Sequence, residues 1–350
     1  MTVVHVVLPN DIDDPATPSG GNAYDRRVCR GLADMGWSVR EHAVAGGWPR
    51  PDLTERAELA RVLAAVPDDA VVLMDGLIAS AVPGVLRPEA RRLRLVILVH
   101  QSMGDDTEGE ALASAGAIIA TSDWTRKRLL DRYGLPAERV HVATPGVDQA
   151  ALVPGSAGGT ELLCVAALIP QKGYDVLTRA LASIADLPWS CGYVGSLDRD
   201  PCLVDQLRGQ VLGYGIAGRV GFAGPRTGPA LDAAYAAADL LVLASRGETY
   251  GMVVTEALAR GIPVLATGVG GVPEALGRAP DGSRPGLLVP PEDPAALAGA
   301  LRRWLVDAAL RDRLRHSARA RRTTLTGWTV TAKLVANVLN RVPVACGRPA

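Results

Sequence analysis

Glu248 and Glu256 stand eight residues apart in a run that begins Ser245-Arg-Gly-Glu-Thr-Tyr-Gly-Met and ends Ala259-Arg-Gly-Ile-Pro-Val264. The apolar stretch Leu240 to Ala244 before it reads as a buried strand, and Gly261 with Pro263 beyond reads as a helix stop. That spacing puts Glu248 in a polar loop and Glu256 in the opening turns of a helix. Between them, the amides of Thr249, Tyr250, Gly251, Met252 and Val253 approach and form a helix N-terminus. Such a terminus offers N–H groups and the positive end of a dipole, which suits a phosphate. Two carboxylates beside an anion site make sense for a ligand that also offers hydroxyls, and a nucleotide sugar offers both. The acids also admit a plainer reading as stabilisers of the helix start. A third reading is an acid and base pair for glycoside hydrolysis. A nucleoside diphosphate is already a good leaving group, so it needs no protonating acid.

Lys172 lies in Pro170-Gln-Lys-Gly173, just after a strand and at a helix start, where its charge opposes the dipole. The chain has only two other lysines, Lys127 and Lys333. An ammonium in this place can neutralise a departing diphosphate. Gly20 and Gly21 fall in a loop between the first strand and a helix, where missing side chains let a backbone approach a diphosphate or simply leave a loop flexible. His100 ends an apolar strand, Leu95 to Val99, a place where a single histidine is often structural. Asp11, Asp13, Asp14, Asp105, Asp106, Glu108 and Glu110 fall in two apparent loops after strands, where clefts form in open sheets. They are solvated loop acids or an acceptor site for a neutral or cationic polyol. A phosphorylated acceptor would call for Arg or Lys there.

The elements around these residues alternate. Val3 to Leu8 reads as a strand, followed by a helix from about Asn22 to Met35. Val71 to Met74, Leu95 to Val99, Ala117 to Ala120 and Val140 to Ala143 read as further strands, with helices such as Leu53 to Ala65 and Trp124 to Tyr133 between them. Pro145 to Gly159 is rich in Pro, Gly and Ser, and the strand–helix pattern restarts at Glu161. Strand–helix alternation of this kind argues for parallel sheets covered on both faces.

At 350 residues, with 48% hydrophobic residues, the chain has room for two cores. Formal charge balances at 37 basic and 37 acidic residues, so nothing marks a nucleic-acid binder. The first 150 residues are acidic by five and the rest basic by five. Much of the basic excess lies between Arg302 and Arg322, whose spacing reads as a solvated helix face. Five cysteines show no metal spacing and no disulfide framework, which favours a reducing cytoplasm. No apolar run reaches membrane length, and no basic leader precedes Val3, so peripheral membrane contact alone stays open.

The Glu248–Glu256 segment resembles the Glu-x7-Glu signature of retaining glycosyltransferase family 4. Pro18-Ser-Gly-Gly21, Val99-His100, Thr121-Ser-Asp-Trp124, Pro145-Gly-Val-Asp148 and Gln171-Lys-Gly173 match that family in order, from about Val3 to about Leu301. The resemblance implies an α/β chain of the GT-B type, with two facing Rossmann-like domains and a cleft between them. It implies an acceptor domain over residues 1–148, a linker over 149–159 and a nucleotide-sugar domain over 160–325. Residues 326–350 would form a helix returning to the first domain. The activity implied is retaining transfer of a hexose from a UDP- or GDP-sugar, without a metal or other cofactor. The family places its histidine, here His100, near the donor sugar, and makes Gly20 and Gly21 a phosphate turn. It gives Glu256 the ribose hydroxyls and Glu248 the donor sugar. Asn22 joins Asp13, Asp14, Asp105 and Asp106 as the expected acceptor side. The family usually has an Arg five residues before its lysine; here that position is Ala167, and Arg226 and Arg246 are candidate replacements.

Other classes compete. Thr267-Gly-Val-Gly-Gly271 faintly resembles a dinucleotide loop of an NAD-dependent oxidoreductase, but Pro273 breaks the glycine spacing. A non-catalytic nucleotide-sugar-binding module would keep the fold and lose turnover. A sugar phosphorylase would need a pyridoxal lysine, for which the sequence offers no candidate.

Overall fold

The strands come from short, largely apolar runs, and within each half of the chain helices alternate with them. A computed structural model of the chain describes residues 2–343. Cys346 and the end of the 326–350 segment lie outside the described residues. The first half contains β1 (Val3–Pro9), α1 (Gly20–Asp34), β2 (Ser38–Val44), α2 (Leu53–Ala64), β3 (Val71–Asp75) and α3 (Gly76–Ala79). It continues through α4 (Pro83–Glu89), β4 (Arg94–Val99), α5 (Asp106–Ser114), β5 (Ala117–Ala120), α6 (Asp123–Tyr133) and β6 (Val140–Val142). The second half begins with β7 (Glu161–Val165), α7 (Tyr174–Ala182), β8 (Ser190–Val194), α8 (Pro201–Gly213), β9 (Val220–Gly224) and α9 (Gly228–Ala236). Then come β10 (Leu240–Leu243), α10 (Met252–Ala259), β11 (Val264–Thr267), α11 (Val272–Leu276) and β12 (Gly286–Val289). Three helices close the chain: α12 (Pro294–Val306), α13 (Ala308–Arg322) and α14 (Trp328–Arg341).

The strands form two parallel sheets, ordered β2-β1-β3-β4-β5-β6 and β12-β11-β10-β7-β8-β9. The second has the doubly wound order whose direction reverses between β7 and β10. Loops leaving the carboxyl ends of the strands at such a switch point form the natural ligand crevice. In the first sheet the reversal lies between β1 and β3.

By contacts the chain divides into two compact units. One holds the chain to Asp13, Gly20–Gly146 and the residues from Trp328; the other holds Asp14–Ser19 and Val147–Gly327. α14 joins the first unit through α1: a Cβ on Gly31 would stand 2.5 Å from that of Ala332, so the two helices meet where one side chain is missing. Thr331 Oγ1 also donates to the carbonyl of Thr144 at 2.8 Å. In the second unit the fully buried Trp304 donates through Nε1 to the carbonyl of Gly159 at 2.7 Å. Removing so large a buried side chain costs about 3–5 kcal/mol. Among the described residues, no helix is long and apolar enough to cross a membrane.

Three expectations need correction. β2, α3 and α4 have no counterpart in the sequence reading: β2 is exposed or half-buried along its length except at Val44, and α3 is a single turn capped by Asp75. The acids from Asp106 to Glu110 lie in α5, not in a loop. Asp105 caps that helix by accepting from the Glu108 amide at 2.9 Å, and acids in a first turn favour the dipole. The arginines of α13 are more than a solvated face. Arg311 is buried and donates to the carbonyls of Trp304 and Leu305, and Arg322 reaches those of Ala259 and Ala150.

Candidate functional site

The loops after β7 and β10 clasp one another. The Pro170–Lys172 turn ends on Gly173, whose φ is +64° and whose missing Cβ would fall 2.0 Å from the Ala244 carbonyl. Any other residue there would force the two loops apart. The Arg246 amide donates to the Gln171 carbonyl at 2.8 Å, which fixes their register. The clasp delivers Lys172 Nζ to Glu248 Oε1 at 2.7 Å, and the same oxygen accepts from Ser245 Oγ at 2.7 Å. Glu248 is about 10% exposed and Lys172 about 24% exposed, so the pair is partly shielded yet reachable from solvent.

From there the chain turns into α10 through Gly251, which is left-handed at φ +93° and provides no side-chain cap. Helical geometry begins at Met252, so Thr249 and Tyr250 belong to the approach, not to the helix itself. Tyr250 is buried in the core beneath, and burial raises its phenol to about 12. Tyr250 therefore has only its backbone to offer a ligand. Gly270 and Gly271 support this loop from below. Their missing Cβ atoms would fall 1.8 Å from the Glu248 carbonyl and 2.3 Å from that of Thr249. The Gly271 amide donates to the Glu248 carbonyl at 3.0 Å. The glycines that resembled a dinucleotide loop are there so that one backbone can pack on another.

Glu256 lies on the second turn of α10. Its Oε2 accepts from the hydroxyl of the fully buried Tyr235 at 2.7 Å. Burial raises its pKa, while the Tyr235 bond and the Arg260 charge pull it down. Arg260 stacks over the Tyr235 ring at 4.4 Å and donates to the Glu256 carbonyl at 2.9 Å. Tyr235 had no signal in the sequence, because it comes from α9; Arg260 is one helical turn after Glu256 and could have been found by that spacing.

Of the two candidates for the missing arginine at Ala167, Arg246 is already engaged. Arg246 is held by Asp175 at 2.9 Å, by Glu292 and by the Pro170 carbonyl. Arg226 is exposed and lines a cavity with Glu161 and Arg219 on the β7–β9 side of the sheet.

In the first unit, Gly20 and Gly21 are the first residues of α1 and not a loop, with Asn22 following. Gly21 lies against His100: a Cβ there would be 3.3 Å from His100 Cδ2. His100 Nε2 is 2.7 Å from Asp25 Oδ1 and 3.9 Å from Asp75 Oδ2. Tyr24 meets the imidazole edge-on, with centroids 5.0 Å apart, and donates to the Ala143 carbonyl at 2.8 Å. Burial opposes protonation of His100, but Asp25 and Asp75 outweigh it and its pKa stands above the ordinary value. Burial and the neighbouring Asp25 push Asp75 up to about 7. The sequence reading named neither aspartate; Asp25 on α1 and Asp75 at the end of β3 are 50 residues apart and share no motif.

The acids expected on the acceptor side are mostly engaged elsewhere. Asp13 makes a two-pronged pair with Arg26, at 2.7 and 2.5 Å. Asp14 accepts from the Ala16 amide at 2.9 Å and the Thr17 hydroxyl at 3.1 Å. Asp105 caps α5. The fully buried Glu108 accepts from Ser102, the Gly104 amide and Tyr133. Asp106 is fully exposed, 3.9 Å from Arg132.

Comparison with known proteins matches residues 156–321 to the family model described as glycosyl transferases group 1, and residues 45–151 to that of glycosyltransferase family 4. The chain belongs to the family 4 type of glycosyltransferases. A D-inositol 3-phosphate glycosyltransferase of Jonesia denitrificans is 34% identical over 258 residues, 68% of this chain and 60% of the relative. One from Salinispora tropica is 32% identical over 262 residues, 65% of this chain and 51% of the relative. This family 4 chain thus spans only half to three-fifths of the length of these curated relatives. Its fold is GT-B. Sucrose-phosphate synthase from Thermosynechococcus elongatus aligns at TM-score 0.78 and 22% identity, covering 97% of this chain and 99% of that one. HepE from Anabaena, solved with UDP-glucose, aligns at 0.77 and 19%, covering 97% and 100%.

Proposed function

We propose that the chain transfers a hexose from a nucleoside diphosphate sugar to a hydroxyl of a polyol or sugar-containing acceptor, with retention and without a metal. The observation that carries this reading is the Lys172–Glu248 pair at the switch point of the second sheet, beside the uncapped start of α10. In this reading the α10 amides and Lys172 take the diphosphate charge that grows as the glycosidic bond breaks. Glu256 accepts from the ribose hydroxyls. Glu248 and His100 contact the donor sugar, and Gly20 and Gly21 bring the start of α1 to the diphosphate. The permanent charge of Lys172 does there what a divalent ion does in other transferases.

HepE was solved with UDP-glucose, and the curated relatives are named for inositol 3-phosphate. These names support a UDP-linked hexose as donor and a cyclic polyol as acceptor. The acids from Asp11 to Asp14 are the ground for an uncharged or cationic polyol, but Asp13 is neutralised by Arg26 and the relatives' names point to a phosphorylated one, so the test includes both. Cys29, Cys164, Cys191 and Cys202 are free thiols, which supports a cytoplasmic setting.

The test is thermal shift and calorimetry against UDP-, GDP- and ADP-hexoses, followed by product analysis with inositol, inositol 3-phosphate and an amino sugar. One nucleotide sugar is expected to bind, and the product to keep the donor's anomeric configuration with chelator present. Binding of NADH but of no nucleotide sugar overturns the reading. Binding without turnover of any acceptor points to the non-catalytic module. Loss of turnover with chelator, restored by a divalent ion, removes the metal-free part.

A further inference from the structure

Three ionisable side chains meet inside the first unit: Asp25 from α1, Asp75 from the end of β3 and His100 just past β4. Each of the three side chains is nine-tenths or more buried, at 3%, 3% and 9% exposure. One oxygen of Asp75 is already used, since Oδ1 accepts from the amides of Leu77 and Ile78 at 2.7 and 3.4 Å and caps α3. Asp25 Oδ1 is used by His100, and Asp25 Oδ2 is buried with no hydrogen-bond partner. Gly21 and Tyr24 close over the imidazole, which limits its rotation.

We propose that Asp25 is a positioning residue that acts through His100: its carboxylate fixes the imidazole by the 2.7 Å contact at Nε2 and favours the protonated ring, with Asp75 as the second acid of the cluster. A buried histidine without such a partner loses its proton, because burial penalises the charged form. A carboxylate at hydrogen-bond distance reverses that, and a second acid 3.9 Å away adds to it. Burial and Asp25 push Asp75 itself up to about 7. The other ionisable groups around it stay neutral. Burial holds the Tyr24 phenol well above its usual value, and raises the Cys29 thiol, one helical turn on from Asp25, to about 12. A cationic imidazole donates from both nitrogens, so it suits a hydroxyl or phosphate oxygen of the donor. This step rests on the reading of His100 as a donor contact; the state of the cluster does not.

The test therefore uses two readouts. The first is the titration of the imidazoles by NMR on protein labelled at histidine, with the His100 signal among five histidines found by its loss in His100→Gln. Asp25→Asn keeps the size and removes the charge. The His100 titration is expected to fall by about one pH unit or more. Asp75→Asn, which still offers an oxygen to the Leu77 and Ile78 amides, is expected to lower it less, and serves alone if Asp25→Asn fails to fold. The second readout is turnover with the donor found above. Asp25→Asn is expected to lower kcat about tenfold near neutral pH, with donor KM within about twofold, and to regain activity relative to wild type as pH falls. A histidine held only for packing would leave kcat and its pH profile unmoved, even though its own titration shifted. An unchanged His100 titration in both variants overturns the proposal. So does bleaching of the His100 signal by micromolar Mn2+ that Asp25→Asn abolishes, since the three side chains are then a metal site. If no donor is found, the titration still decides the state of the cluster, and only the proposed function fails.

Discussion

Past the end of β10, Glu248 meets the Lys172 ammonium; past the end of β4, His100 meets two carboxylates, of which burial and Asp25 push Asp75 up to about 7. Both groups sit on loops leaving the carboxyl ends of parallel strands, Glu248 at the switch point of its sheet and His100 one strand away from that of its own. The pair in the second unit is partly open, and the cluster in the first is closed. A group that must neutralise a diphosphate gains from permanent charge and from access. A group that must present one proton gains from burial, which lets neighbours set its state. The two regions thus separate the charge-neutralising work from the proton-holding work.

The largest effect is expected where the second unit has no reserve. Arg246 is tied to Asp175 and Glu292, and Ala167, five residues before Lys172, brings no charge. Lys172→Ala should therefore cost about a hundredfold to a thousandfold in turnover at saturating donor, the price of one transition-state donor. Lys172→Arg should recover only part, because a planar fork does not occupy an ammonium's place. Near wild-type kcat in Lys172→Ala would show that another group carries the charge, and the contrast with the first unit would lose its basis.

Glu256 sharpens the comparison from the other side, because in the second unit it is the carboxylate whose state depends on burial. Glu256→Ala should weaken nucleoside diphosphate binding by about 1–3 kcal/mol, the cost of hydrogen bonds lost to hydroxyls. Its pKa is raised in the free protein, so the charged form that accepts from a ribose is lost at a higher pH than for an ordinary carboxylate. Wild-type affinity should accordingly weaken as pH falls through that raised value, and Glu256→Ala should flatten the dependence. Calorimetry across the mildly acidic range measures both. An identical slope in the variant would assign it to another group.

How legible each region was in the sequence follows the same division. Glu248, Glu256 and Lys172 belong to short runs in which the strand end, the loop and the helix start are all visible, so spacing placed them. The Tyr235 bond to Glu256 and the Asp25 and Asp75 contacts to His100 join different βα units, and nothing in local spacing carries a contact across a sheet. Gly20 and Gly21 were read as loop because two glycines weaken a helix pattern. In the structure the imidazole lies on Gly21, where a Cβ would crowd it at 3.3 Å. The α5 acids were read as loop because charge outweighed the apolar Ala111 and Leu112 behind them. The Asp105-x-x-Glu108 spacing was a start signal, since an aspartate there can cap the amide three residues on.

The smallest expected effect concerns those acids, and it tests whether the first unit has any permanently charged counterpart to Lys172. Asp105 and Asp106 are adjacent but differ in what they do. Asp105 accepts from the Glu108 amide, so Asp105→Ala should lower stability by about 1 kcal/mol, the usual cost of a lost N-cap. Any rise in acceptor KM in that variant would then follow from a loosened α5. Asp106 has no such duty: its side chain is fully exposed, and its nearest cation, Arg132, is 3.9 Å away. Asp106→Asn should lower the unfolding midpoint only slightly, by the loss of one exposed first-turn charge beside the helix dipole. If the acids serve a cationic acceptor, Asp106→Asn should raise its KM by about two- to fivefold, the range of one exposed charge pair, and should leave the KM of an uncharged polyol alone. The effect should shrink further as salt is added. Equal KM values for both acceptor types in wild type and Asp106→Asn would mean that these acids only build and solvate α5, and that the permanent charge of the candidate site belongs to the second unit.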